Sequence, residues 1–287
     1  VRAKARNFAW GLRLTPRPQR DALYAAYAWM RQGDDIADDI ADKPTAAREL
    51  AAFRVRTLAL LDPALSDPTA PTPADDASCW PALAWSLRHA RLPADPLLEM
   101  LEGLAWDLAH APFVTEDQLD RYCALVGGTV GVVCTTVWGL RPAANHAAAL
   151  READLRGKAF QAINIARDVA EDARAARHYL PAAWLDAEGL TRETFLAWRD
   201  DRACSRVLAR LFAKADGCLR DSRDLCSRID PACVPTLTAM TSIYGALLDK
   251  LRDQPCRAVL GPRVRLPAWR KALLALRSLR TPTGTPR

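Results

Sequence analysis

Apolar residues recur along this chain at the three-to-four-residue spacing of buried helix faces, and nowhere do they alternate with polar residues over a β-branched run. The pattern predicts helices over 18–42, 46–62, 80–89, 96–110, 116–138 and 145–176, then over 191–200, 202–227 and 233–252. The second of these opens after Pro44-Thr45, and the fifth is read through glycines at 127, 128 and 131. Residues 63–76 carry four prolines among Ser, Thr and Asp and read as a loop. A short amphipathic helix is expected over 266–277. No solenoid period and no internal linker interrupts the series. The expectation is therefore one all-α domain over 1–287, a helical bundle with a basic C-terminal tail from about 252 to 287.

Composition changes this picture little. Half of the residues are hydrophobic and 26% are charged, which excludes a disordered chain. No run reaches ~18 consecutive apolar residues, so no transmembrane helix is predicted. The start, VRAKARNF, lacks the apolar run of a signal peptide, which makes the cytoplasm the expected location. The eight cysteines form no CxxC pair and have no His at zinc-ligand spacing, so they read as reduced core residues.

Charge is uneven. From Arg252 onward there are nine Lys or Arg against one Asp, which leaves the rest of the chain slightly acidic. A tail of this kind can meet nucleic acid or anionic lipid. Its single aromatic, Trp269, offers no stacking platform for bases, so nucleic acid is not expected as a partner. The 266–277 helix either packs on the body with a solvated face or lies peripherally against the inner face of the membrane.

Two segments depart from what a helical core requires. In the first, Asp34, Asp35, Asp38 and Asp39 crowd six residues of an otherwise apolar stretch, and like charges at i,i+4 repel. Tyr27, Arg31, Asp34 and Asp38 fall on one stripe, the stripe that periodicity turns inward. In the second, Gln161, Asn164, Asp168 and Asp172 do the same, with Arg167 beside them and Arg177-His178-Tyr179-Leu180-Pro181 behind. Either segment alone reads as a solvated acidic face. Together they predict a cavity with carboxylates on opposing walls. Oxygen ligands without thiolate or imidazole suit Mg²⁺, which bridges carboxylates to substrate phosphates. Such neutralisation is what ionisation of an allylic diphosphate needs, and Arg31 and Arg167 could add bidentate phosphate contacts.

These residues resemble the squalene/phytoene synthase family of head-to-head prenyltransferases, over about Phe8 to Leu251. The first motif is Tyr27-Ala28-Trp29-Met30-Arg31 with Asp34-Asp35-Ile36-Ala37-Asp38. The second, long and specific, runs from Gln161 to Asp172 with Arg177 to Pro181 behind it. Between them, Tyr122 to Gly131 looks like a glycine-containing family segment, and Tyr244 matches a family tyrosine near the pocket. The resemblance implies an isoprenoid-synthase-type bundle around a central cavity. There Asp34, Asp35, Asp38, Asn164, Asp168 and Asp172 would hold Mg²⁺. Phe8, Tyr27, Arg31, Gln161 and Arg167 would hold diphosphate, and Tyr122, Tyr179 and Tyr244 would stand at the reacting centre. Two prenyl diphosphates would join to a cyclopropylcarbinyl diphosphate, which some members rearrange to squalene, dehydrosqualene or phytoene.

Departures from the family pattern are local. Asn7-Phe8 fits the N-terminal strip but Ala5 does not, and Gly127 replaces an alanine, a change expected to widen a helix contact. The Asn7-Phe8 start and the Gly131–Gly139 stretch lean toward two C15 substrates and squalene or dehydrosqualene, with two C20 substrates and phytoene as the alternative. NADPH use is possible and is not readable from the residues. A terpene cyclase or head-to-tail synthase fits the second motif poorly. A non-catalytic assembly factor of the same fold would be expected to have lost its aspartates.

Overall fold

The computed structural model describes residues 11–40, 42–62, 78–109 and 111–279. The predicted 63–76 loop, Phe8 and its neighbours, and the end of the tail lie outside them. Among the described residues these α-helices follow in order: α1 Gln19–Asp39, α2 Lys43–Leu61, α3 Trp80–His89, α4 Asp95–Ala109, α5 Glu116–Cys123, α6 Thr129–Trp138, α7 His146–Arg174, α8 Ala182–Asp186, α9 Arg192–Leu196, α10 Asp201–Asp221, α11 Leu225–Arg228, α12 Val234–Asp253, α13 Cys256–Leu260 and α14 Ala268–Ser278. Among the described residues there is no strand, only an isolated bridge between Leu140 and Ile229. One continuous apolar core runs from Leu12 to Val264.

Helix α7 is the axis. It begins at Asn145, whose side chain accepts from the Ala148 N–H, and it packs on α6, α10, α12 and α13. Its approach to α6 is set by small residues. A Cβ added to Gly157 would lie 2.0 Å from the Gly127 carbonyl oxygen, and one added to Gly131 would lie 2.0 Å from that of Ala153. Gly127 therefore does not widen the contact, as the sequence suggested. It permits a closer one, because an alanine Cβ there would stand 2.6 Å from that of Gln161.

The predicted 116–138 helix is two helices joined through a π-helical turn, Ala124–Gly128. The extra residue in that turn rotates Tyr122 and Val126 relative to α6, and such turns recur at functional sites. The continuous stretches Glu116–Trp138 and Pro231–Asp253 are long and apolar enough to cross a bilayer by composition, yet each is 61% buried inside the bundle. They are core helices here.

The predicted 202–227 helix ends at Asp221. Arg156, buried on α7, donates to the Ser222 carbonyl at 2.6 Å and to its hydroxyl at 2.8 Å. Ser222 is the C-cap of α10, its carbonyl is shared with the Leu225 N–H at 3.2 Å, and α11 starts afresh at Leu225.

Helix α1 is oriented by its far side. Trp29 is fully buried, stacks on Phe53 at 5.3 Å and donates its indole N–H to Thr57 of α2 at 3.1 Å. Losing such a ring costs about 3–5 kcal/mol. With Trp29 held there, Tyr27, Arg31 and Asp34 turn toward the interior. Helices α1 and α7 do not pack extensively on each other, while α6 touches both, and the space left between them is a cavity.

Candidate active site

The cavity holds about 670 Å³, within the range of small-molecule sites. Its α1 wall presents Tyr27, Arg31 and Asp34. Burial, more than any neighbouring charge, pushes the Tyr27 phenol up to about 12, so it stays protonated. Arg31 reaches Asp34 at 3.5 Å and makes a shorter bond to Asp35. Asp35 is thereby engaged within the helix surface and is not among the cavity-lining residues, which sets it apart from Asp34, Asn164, Asp168 and Asp172. The Asp38 side chain lies outside the described residues.

The α7 wall brings Gln161, Asn164, Arg167, Asp168 and Asp172 to the same cavity, as the predicted stripe required. Asn164 donates from Nδ2 to Gln161 at 3.3 Å, while its Oδ1 is buried with no hydrogen-bond partner. Asp168 is gripped from two sides. Arg167 donates to it from Nε at 2.7 Å, and Arg263, between α13 and α14, forks onto both oxygens at 2.7 Å. Burial, reinforced by the Asp168 charge, pushes the Asp172 carboxyl up to about 7, with Arg177 opposing. Tyr244 of α12 closes this side, stacked on Phe160 at 4.2 Å.

Both walls stand near helix C-termini, where the macrodipole already disfavours carboxylates. Local propensity does not explain acidic residues there, but a bound cation would.

Between the walls, Tyr122 and Tyr179 stack at 4.7 Å, and each donates its hydroxyl to Oδ1 of Asp107 at 2.7 Å. A capping box between Thr115 and Gln118 starts the helix that carries Tyr122. Tyr179 is delivered differently. Ala176 takes a left-handed φ of 56° to end α7, and the Phe113 N–H donates to the His178 carbonyl at 3.3 Å. Phe113 then meets both tyrosine rings edge-on at 5.4 and 5.6 Å. Burial and the Asp107 carboxylate together push both phenols up, so they act as neutral donors.

Sequence reasoning missed Asp107 and Arg263. Asp107 had a signal, since it shares a helical stripe with buried Met100 and Gly103. Arg263 had none, because it reaches Asp168 from 95 residues away.

Among the described residues, no three of His, Cys, Asp and Glu converge as a ready-made metal cage. The donors instead suit an ion that completes its shell with water and phosphate. The orphaned Asn164 Oδ1, the raised Asp172 carboxyl and an all-oxygen donor set fit a hard divalent cation.

Comparison with known proteins agrees with this geometry. The family model for squalene/phytoene synthase matches residues 1–270. The chain belongs to the squalene/phytoene synthase family. It is 32% identical to a phytoene synthase of Pseudescherichia vulneris, over 86% of this chain and 79% of that protein. A phytoene synthase of Thermus thermophilus is also 32% identical, over 96% of this chain and 88% of that one. The fold is similar to that of a dehydrosqualene synthase crystal structure, with a TM-score of 0.80 and 22% identity over 96% of this chain and 92% of that one. As a squalene/phytoene synthase family member the protein is a prenyltransferase that binds prenyl diphosphates and joins them head to head, in a class that generally uses a divalent metal.

Proposed function

We propose that this protein condenses two geranylgeranyl diphosphates to phytoene with Mg²⁺ and without NADPH. The observation that carries the chemistry is the convergence of two acidic helix stripes and a tyrosine pair on one cavity. The C20 assignment is supported by the phytoene synthases at 32% identity over most of both chains. Two farnesyl diphosphates remain the second reading, favoured by the Asn7-Phe8 start and the Gly131–Gly139 stretch.

Arg31, Arg167 and Arg263 present guanidiniums that can fork onto diphosphate oxygens. Mg²⁺ held by Asp34, Asp168, Asp172 and the Asn164 carbonyl, with Asp38 as the family motif implies, would neutralise the departing diphosphate. On the donor, the allylic C–O bond breaks. The second substrate's double bond attacks that carbon, and loss of one proton closes the cyclopropane. A second C–O cleavage, rearrangement and loss of another proton give the triene centre of phytoene, so no reductant is consumed. The rings of Tyr122 and Tyr179, backed by the Asp107 charge, stabilise the cationic stages. The apolar lining of Met100, Val126 and Met240 excludes the water that would quench them.

Incubation with C15 or C20 diphosphate, with Mg²⁺ or EDTA, and with or without NADPH tests this reading by product mass. A C40 product that needs Mg²⁺ and not NADPH is expected. A C30 product from the C15 substrate alone moves the assignment to the second reading, and no coupled product from either overturns both.

A further inference from the structure

Helix α14 packs against α12 the wrong way round for a soluble helix. Its buried positions are Lys271, Ala275 and Ser278, one stripe at four- and three-residue spacing. Most of its large apolar residues point outward instead, with Trp269 68%, Leu276 61%, Leu279 55% and Leu273 39% exposed, while Leu274 is half-buried. Trp269, Leu273 and Leu276 form a second stripe at the same spacing, bordered by Arg270 and Arg277. A solvated helix would hide those side chains and show the lysine. A face of leucines and a tryptophan edged by arginines is the composition of a helix lying in a lipid headgroup region.

We infer that this face of α14 docks the protein on an anionic bilayer surface. Charge complementarity selects that occupant, since Arg270 and Arg277 edge the exposed apolar stripe and α14 carries no acidic residue. A second copy fits less well, because a two-fold contact here would bring Arg270 and Arg277 toward their own copies with no acidic residue on the helix to offset them. The outward face of an 11-residue helix is also small beside the ~800 Å² per partner of a stable dimer. The site lies back to back with the cavity, since Lys271 on the buried stripe and Arg263 and Arg265 just before the helix line it. A membrane bound at α14 therefore lies across one helix from the interior. The inference does not depend on the substrate or on turnover.

Co-sedimentation of the full chain with phosphatidylcholine vesicles, with and without phosphatidylglycerol, at low and high salt, tests it. Strong binding is expected only to the anionic vesicles, and salt should weaken it. Trp269→Ser and Leu276→Ser should each lower the partition coefficient at least about tenfold. Arg270→Gln should lower it about fivefold. Thermal melting of all three should match the parent, because these side chains are exposed. Equal binding to neutral and anionic vesicles, or binding unchanged by Trp269→Ser, overturns the inference. So does an absence of vesicle binding accompanied by a concentration-dependent dimer that Leu276→Ser abolishes, which would assign the face to a second copy.

Discussion

The two acidic walls are alike in sequence and unlike in structure. On α7, the Asp168 side chain is only 15% exposed and lies between two guanidiniums, one of them from a segment almost a hundred residues downstream. On α1, Asp34 is 43% exposed and meets Arg31 of its own helix at 3.5 Å. The α7 wall is pre-organised by tertiary contacts, with positive charge already supplied. On the α1 wall the positive charge comes from the same helix, three residues away, and its carboxylate is closer to solvent. The two walls thus reach the same charge pattern by different routes, one across the fold and one along a single helix.

The largest expected effects separate the walls. Asp168→Asn should lower turnover about 10³-fold. It should also cost about 3 kcal/mol of stability in urea melts, because it leaves Arg167 without its anion and Arg263 with Glu171 alone. Asp34→Asn should lower turnover to a similar degree while moving stability by no more than about 0.5 kcal/mol. Equal stability losses in the two variants would erase the contrast.

Next in size is Asp107→Asn, expected to slow single-turnover coupling about 10²-fold while circular dichroism stays unchanged. An amide oxygen can still accept from one tyrosine, but the negative charge facing the cationic stages is gone. Near-parental coupling would mean that Asp107 only positions the phenols.

Arg263→Gln should raise KM for the diphosphate about tenfold, by loss of a charged hydrogen-bond donor. Arg31→Gln should raise it less, since Arg31 is already engaged with its own helix. The reverse order would make the α1 wall the pre-organised one.

A further effect is a pH dependence centred on Asp172 of the α7 wall. The folded Asp172 carboxyl titrates near 7 against 3.8 for an unperturbed one, so the folded state binds that proton more tightly. Its contribution to stability is complete below the unfolded value and is lost as pH rises through about 7. Urea midpoints of the metal-free protein from about pH 4 to about pH 8 should show this decline, and Asp172→Asn should flatten it.

The helices and both stripes were legible because helical period and amphipathicity are local properties. Residues 80–89 and 116–138 were placed closely, and Tyr27, Arg31, Asp34, Gln161, Asn164, Asp168 and Asp172 were turned inward correctly. The break after α10 was not legible, and Arg156 meets its C-cap, Ser222, from another helix. Nor was the role of Asp107, which becomes apparent only when two tyrosines from separate segments meet on one oxygen.

The sequence by itself determined an all-helical chain with two inward acidic stripes and a family membership, since each is written in residue spacing. Only the tertiary structure decided that α14 shows its apolar side outward, that Arg263 clamps Asp168, and that Gly127 draws α6 toward α7. Each of those depends on which surfaces meet across long stretches of chain, and periodicity along one helix carries no record of its neighbours.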